Sequence, residues 1–134
     1  MTDRSHDIAD KAAVAAAMMV MDRFMAALNA RDESALQETL HFPHYRLAAG
    51  GMQVFERPQD YTLAGFFARA GDGWARSAWD FRRVIAAGPD KVHLDVQFTR
   101  YRADGSALGQ FRSLYVLARR DGRWGIALRS TFAG

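Results

Sequence analysis

The N-terminal part of the chain places apolar residues with the period of an α-helix. Five of them follow one another at spacings of four and three residues: Val14, Met18, Met21, Met25 and Leu28. Residues at these spacings share one face of a helix, and the alanine-rich stretch 12–17 adds strong helix propensity. We therefore predict a long helix over residues 7–29, with this face in the core.

Shorter elements follow up to residue 71. Asp32 is a good N-cap for a second, short helix through Thr39, which Pro43 would stop. Two short apolar-rich stretches, 44–48 and 52–55, flank a glycine pair that permits a tight hairpin.

A third helix is predicted after this hairpin. Pro58 suits the first turn of a helix, and Gly71 suits its C-cap. Leu63, Phe66 and Phe67 would form its apolar side.

From Trp74 onward the period changes to two, which is typical of strands. The predicted strands cover residues 75–87, 91–102, 107–119 and 123–132. Asp104-Gly105 and Asp121-Gly122 are strong hairpin signals. The predicted order is α-α-β-β-α-β-β-β-β. This predicts a single α+β domain over residues 1–134, in which a curved antiparallel sheet is wrapped around three helices.

Two-residue Asp-Gly turns also predict which strand residues pair. The predicted pairs are Phe98–Phe111, Val96–Ser113, Leu94–Tyr115, Tyr115–Leu128, Leu117–Ile126 and Ser113–Ser130. One sheet face is then largely apolar and should pack on the helices: Val92, Leu94, Val96, Phe98, Phe111, Tyr115, Leu117, Ile126, Leu128 and Phe132. The opposite face is more polar and could carry an Asp95–Arg129 ion pair, with Leu114 between them.

Composition narrows the class of protein. The chain has 134 residues, is 49% hydrophobic and contains no cysteine, which excludes disulfides, thiolate zinc sites and a cysteine nucleophile. The longest apolar run, residues 12–21, is too short to span a bilayer, and no basic segment precedes it. We expect a soluble, cytoplasmic protein that does not bind a membrane.

The formal net charge is +3, and the positive charge lies in the second half of the chain. A positive charge of this kind could bind an acidic partner, but the arginine pairs that carry the charge are scattered along the chain. No basic recognition helix or RNA-binding aromatic motif is present, so nucleic-acid binding is not expected.

Two segments carry a resemblance to a known family. They are DRFMAALNARD at residues 22–32 and RDGRWGI at residues 120–126. With this element order, the chain resembles the NTF2-like superfamily, in particular its SnoaL-like and ketosteroid-isomerase-like small bacterial proteins. The resemblance implies an NTF2-like cone with one pocket, and commonly a homodimer through the sheet.

The resemblance also allows a test for isomerase chemistry. It implies a donor tyrosine, a base aspartate and a donor aspartate at the positions of Phe24, Ala48 and Leu114. The side chains of Phe24, Ala48 and Leu114 can neither donate nor accept a proton, so ketosteroid isomerisation by that mechanism is not expected. The correspondence would place Leu114 in the pocket, whereas the apolar pattern places it on the opposite face.

The segment His41-Phe42-Pro43-His44-Tyr45-Arg46 carries the most candidate chemistry. Strand alternation would turn His44 and Arg46 inward if Ala48 points inward, and His44 is then a candidate catalytic base. Alternatively, His41 caps the second helix, Arg46 is solvated and His44 has no chemical role. His41 and His44 have no evident third ligand, so no metal site is predicted.

Other candidates lie on the predicted sheet. Tyr115 and Ser130 are polar groups on the apolar face, and Trp79 could either stack on a ligand or belong to the core. No phosphate-binding glycine loop or nucleophile elbow is present, so no cofactor is expected.

The leading hypothesis is binding of a small, partly apolar molecule in an enclosed pocket. The candidate ligand-binding residues are His44, Arg46, Trp79, Tyr115 and Ser130. One alternative is a small acid–base enzyme, an isomerase, dehydratase or hydrolase, with His44 as its base. The other is a pocketless dimerisation module whose cone is filled by aromatic residues: Phe24, Phe66, Phe67 and Phe98.

Overall fold

The computed structural model describes the backbone of residues 4–133 and the side chains from residue 10 onward. The helices are α1 (Arg4–Ala30), α2 (Glu33–Glu38) and α3 (Leu63–Ala70), with a 3-10 turn at Pro58–Asp60. The strands are β1 (Leu40–Ala48), β2 (Gly51–Phe55), β3 (Arg76–Ala87), β4 (Lys91–Tyr101), β5 (Ala107–Arg120) and β6 (Arg123–Thr131). The predicted element order and the α+β class are confirmed.

The six strands form one curved, open sheet in the order β2-β1-β6-β5-β4-β3. Neighbouring strands are antiparallel except β1 and β6, which are parallel. The prediction of a purely antiparallel sheet is therefore wrong at this one junction. It was based on hairpin signals, and these report only on strands that follow each other directly in the chain.

The helix boundaries follow local capping chemistry. The Asp32 side chain accepts a hydrogen bond from the backbone of Ala35, which confirms it as the N-cap of α2. Pro43 was predicted to stop this helix, but it lies within β1. Pro58 starts only the 3-10 turn, and α3 begins later because Thr62 caps it.

Helix α1 lies across the concave face of the sheet. Met21, Phe24 and Leu28 are buried, in one cluster with inner-face residues of β4 and β5 such as Leu94 and Leu117. By length and composition alone, Asp10–Ala30 would pass as a membrane span, but a core helix passes the same test. Here its apolar face is covered by the sheet.

The predicted register between β4 and β5 is confirmed, including Phe98 opposite Phe111 and Leu94 opposite Tyr115. In the last hairpin, Leu117 pairs with Ile126 as predicted, but Val116 then pairs with Leu128. Ala127 is thus an extra residue on β6, a β-bulge that reverses the side-chain alternation after it.

The bulge corrects the predicted faces of the end of β6. Arg129 turns inward and pairs with Tyr115, whereas Leu128 and Ser130 turn outward. Phe132, just beyond the strand, is 83% exposed. The predicted pairs Tyr115–Leu128 and Ser113–Ser130 are therefore wrong.

The outer face of the sheet is partly as predicted. Leu114 lies on this face and is partly exposed, as the apolar pattern required. Asp95 pairs with Arg112 at 2.7 Å. It does not pair with Arg129, which the bulge has moved to the inner face.

Candidate functional site

A small cavity lies between the concave face of the sheet, α1 and α3. Its free volume is about 30 Å³, enough for roughly two water molecules. Its lining combines aromatic rings with basic and hydroxyl groups: Phe24, Met25, Leu28, Arg46, Tyr61, Phe66, Arg69, Ser77, Phe98, Arg100, Tyr115, Arg129 and Thr131. We call this space the arginine cavity.

Three of its arginines carry buried donors without an acceptor. The Nε–H groups of Arg69, Arg100 and Arg129 have no hydrogen-bond partner. No Asp or Glu from the described part of the chain lines the cavity. Because a guanidinium has no acceptor atoms, the three groups cannot satisfy one another.

Arg129 is held in place by two tyrosines. One of its terminal nitrogens donates to the Tyr61 hydroxyl at 2.6 Å, and the other donates to the Tyr115 hydroxyl at 3.4 Å. Burial alone would lower the pKa of Arg129, but the two phenols outweigh burial and raise that pKa. Arg129 therefore remains charged although it is only 6% exposed.

Tyr61 lies between two positive charges. It is 1% exposed, and its hydroxyl also accepts a longer hydrogen bond of 3.4 Å from Arg69. Burial alone would raise the pKa of Tyr61, but the charges of Arg129 and Arg69 outweigh it and lower that pKa. The phenol is thus stabilised in its anionic form.

Arg100 has aromatic neighbours. Its guanidinium carbon lies 4.8 Å from the ring centre of Phe111, 5.5 Å from that of Phe98 and 5.6 Å from that of Phe66. Burial is the main cause that lowers the pKa of Arg100, and the nearby charge of Arg69 adds to it. Ring faces offset part of this cost but accept no full hydrogen bond.

Arg46 and Tyr115, two of the sequence candidates, line the arginine cavity. Arg46 lies on β1 and donates to the side-chain oxygen of Gln53 at 3.3 Å. Burial lowers the pKa of Arg46 to about 10, with a further contribution from Arg129. Both candidates face inward as the sequence predicted.

His44 also turns inward but does not line the cavity. The backbone oxygen of Ile126 can only accept, so the His44 Nδ1–H donates to it at 3.1 Å, and Nε2 is left unprotonated. Burial and the charge of Arg129 lower the pKa of His44 to about 3. An imidazole with this pKa is a weak base at neutral pH.

Trp79 and Ser130 lie outside the arginine cavity. Trp79 packs against Phe24 and Tyr115, and its indole N–H donates to the backbone oxygen of Met21 at 3.2 Å. Ser130 pairs with outward-facing residues of β1 and β5 because of the bulge at Ala127. A role of either residue in ligand binding stays a prediction.

One interpretation of the sequence proposed that His41 caps α2, but it does not. Its Nε2–H donates to the backbone oxygen of Ala118 at 2.8 Å, and its Nδ1 accepts from Arg123 at 3.1 Å. His41 thus ties the start of β1 to the last hairpin. Within the part of the chain that the structure describes, no three potential ligands among His, Asp and Glu come together as a metal site.

Sequence reasoning missed Tyr61, Arg69, Arg100 and Arg129. Arg100 could have been found, since alternation from Phe98 on β4 places it on the inner face. Arg129 was assigned to the outer face because the bulge has no signature in the sequence. Arg69 enters the cavity through the docking of α3, and Tyr61 lies between the 3-10 turn and that helix.

Comparison with solved structures identifies several similar folds. A protein of unknown function with a cystatin-like fold from Nostoc punctiforme has a TM-score of 0.71 and 17% identity, covering 93% of this chain and 91% of that chain. A ketosteroid isomerase-like protein from Erwinia carotovora has a TM-score of 0.67 and 18% identity, covering 89% and 94%. An NTF2-like protein from Cytophaga hutchinsonii has a TM-score of 0.64 and 17% identity, covering 87% and 94%.

Sequence comparison identifies the family of the chain. The model of the family described as NTF2-like protein (DUF6841) matches residues 15–131. No curated protein matches the chain. At these identities the similar structures establish the fold and leave the ligand open.

Proposed function

Because the chain belongs to the NTF2-like family DUF6841, whose fold serves many unrelated functions, we propose its function from the arginine cavity itself. We propose that the protein binds a small organic acid through the acid's anionic head group. The observation that carries this proposal is the set of three buried Nε–H donors without an acceptor, on Arg69, Arg100 and Arg129.

A folded chain has no structural need for such a set. Burying a charged group without a partner costs free energy, and leaving a donor unsatisfied adds to that cost. An anion whose oxygen atoms accept from these donors offsets both costs. Arginine is also the side chain best suited to bind a carboxylate or a phosphate through two parallel hydrogen bonds.

The size of the cavity limits what enters it. A volume of about 30 Å³ suits a head group of a few atoms, not a whole metabolite. Arg69 lies on α3 and retains partial solvent exposure, which supports an opening of the cavity beside this helix. The apolar remainder of the ligand would extend through this opening, past Phe66 and Phe98, in keeping with the expected partly apolar molecule.

The test compares benzoate with benzamide, which has nearly the same shape but no charge. A ligand that binds only the folded state raises the melting temperature, so benzoate should raise it in a dose-dependent way and benzamide should not. Arg100→Met should abolish the rise, whereas Arg119→Met, at an exposed pair with Asp90, should preserve it. The proposal would be contradicted if benzoate and benzamide changed the melting temperature equally, or if benzoate still raised the melting temperature of Arg100→Met.

A second candidate function is the dimerisation module without a ligand. The observation in its favour is the small free volume, because Phe24, Phe66 and Phe98 occupy much of the cone. Phe67 does not contribute to this filling, since it is 41% exposed. The dimerisation module is favoured if no organic acid changes the melting temperature of the protein.

We also propose that the chain forms a homodimer through the outer face of the sheet. Two registered rows of side chains support it, and they run over β2, β1, β6 and β5: Val54, Tyr45, Leu128, Val116 in one row and Met52, Leu47, Ser130, Leu114 in the other. Six of these eight side chains are large apolar groups with substantial exposure. A contiguous apolar patch on a sheet is typical of a protein–protein interface.

A further inference from the structure

We infer that the head group bound in the arginine cavity is a dianionic phosphoryl group, as in a phosphate monoester, and not a carboxylate. This inference rests on the proposed function and names the class of its ligand. It follows from the number of positive charges in the lining and from the placement of the free donors on three different elements.

The charge of the lining calls for more than one negative charge. Arg69, Arg100 and Arg129 bring three guanidinium charges, and none of the ion pairs in the described part of the chain involves them. Tyr61 is the acidic group held between them, and it offsets at most one charge when ionised. These three arginines and Tyr61 therefore leave a net charge of two or three, beside the guanidinium of Arg46, which also lines the cavity. A monoanion would leave this charge partly uncompensated, and a dianion would compensate more of it.

The free donors also belong to three different elements, whereas the acceptor sites of a carboxylate all lie in one plane. Each free Nε–H belongs to a guanidinium edge that can hold an oxygen atom, and the three edges come from α3, β4 and β6. A carboxylate presents two oxygen atoms in one plane. A phosphoryl group presents three oxygen atoms in three directions, one for each arginine, and binding of phosphate by clustered arginines is a common use of this side chain.

The hydroxyl groups of the cavity are compatible with the same ligand. Tyr115 faces the cavity beside Arg129, and Ser77 lies at its edge. Hydroxyl groups can donate to a phosphoryl oxygen without adding charge. The aromatic walls formed by Phe66 and Phe98 then exclude water around the head group and strengthen these charge-assisted hydrogen bonds.

The experiment compares three phenyl compounds that separate charge from shape. Phenyl phosphate is mainly a dianion at pH 7.5, because the second pKa of a phosphate monoester is about 6. Phenyl sulfate has nearly the same shape with a single charge, and benzoate is planar with a single charge. Dissociation constants are measured by isothermal titration calorimetry at fixed, low ionic strength.

We expect phenyl phosphate to bind at least about tenfold tighter than either monoanion, a ratio equal to about 1.4 kcal/mol. Its affinity should also fall between pH 7.5 and pH 5, where it becomes a monoanion, whereas that of phenyl sulfate should change less. Inorganic phosphate should bind with an affinity within about tenfold of phenyl phosphate if the head group supplies most of the contacts.

The possible failures are distinguishable. If phenyl sulfate or benzoate binds as tightly as phenyl phosphate, the dianion inference is overturned and the proposed function stands. If none of the three compounds binds, the proposed function falls with it. Arg100→Gln gives an independent check, because glutamine removes the charge but keeps an N–H donor, so that weakened binding can still be measured. The loss of one charge should reduce the preference for phosphate over sulfate, and an unchanged preference contradicts the inference. Arg119→Gln, outside the cavity, serves as the matched control.

Discussion

Arg100 is buried without an acidic partner in the described residues, and this burial has a measurable consequence for the empty protein. Replacing buried ion pairs with apolar side chains of similar volume is often neutral or stabilising, by roughly 1–4 kcal/mol, and a buried charge without an acidic partner has less attraction to offset its burial. We predict that Arg100→Met raises the free energy of unfolding within this range while it removes anion binding.

Urea denaturation of the ligand-free protein checks this prediction, since urea adds no ions. Arg119→Met provides the comparison, because its exposed pair with Asp90 should contribute less than about 1 kcal/mol. A clear loss of stability in Arg100→Met would show that the guanidinium contributes to the fold through its aromatic neighbours, and the proposed function would lose its rationale.

The low pKa of His44 predicts that the free energy of unfolding decreases in acid. Its pKa is about 3 in the folded protein and 6.5 in the unfolded chain, so between these values only the unfolded chain binds the proton. The stabilisation is therefore complete above pH 6.5 and is lost as the pH falls towards 3, with a slope of up to about 1.4 kcal/mol per pH unit.

We expect His44→Gln to show a shallower loss of stability between pH 6.5 and pH 4 than the unchanged protein, in urea denaturation at several pH values. His93→Gln, at a partly exposed position on the outer face, serves as the matched control. Identical slopes for all three proteins would contradict the prediction. The same low pKa gives no support to His44 as a catalytic base, and that role stays a prediction.

Helix α3 is short, and its first turn depends on one cap. The Thr62 hydroxyl accepts a hydrogen bond from the backbone N–H of Gly65 at 3.0 Å, and the helix carries Arg69 in its last turn. We predict that Thr62→Ala lowers the free energy of unfolding by about 1 kcal/mol and weakens anion binding, because α3 positions one side of the cavity. Thr62→Ser retains the hydroxyl and should behave like the unchanged protein. Equal stability and affinity of Thr62→Ala and Thr62→Ser would refute this role.

The strands show how far sequence reasoning reaches. Asp104-Gly105 predicted the pairing of β4 with β5 correctly, because a two-residue turn and the apolar alternation lead to the same register. The last hairpin followed the same rule only up to Leu117, since nothing in the sequence around Ala127 distinguishes a bulge from regular strand. The fold was therefore predictable, while the residues of the arginine cavity depended on one local irregularity and on the docking of α3.

The intact chain exposes apolar side chains on one broad surface, the outer face of the sheet. We predict that it is a dimer at micromolar concentration by light scattering coupled to size-exclusion chromatography, and that Leu47→Lys yields a folded monomer. Met19→Lys changes an apolar residue on α1 that is more exposed than Leu47, and it should leave the dimer intact. A monomeric unchanged protein, or a dimer that persists in both Leu47→Lys and Leu128→Lys, would refute this interface.

The extra residue at Ala127 has a consequence for comparing this protein with structures of similar fold. At 17–18% identity, an alignment by sequence alone has little to indicate whether a gap belongs at this position. An alignment that omits the gap exchanges Arg129 with an outward-facing neighbour and shifts every later residue to the wrong side. Whether other members of the family share the three-arginine arrangement is therefore a question to be settled by superimposing backbones, strand by strand.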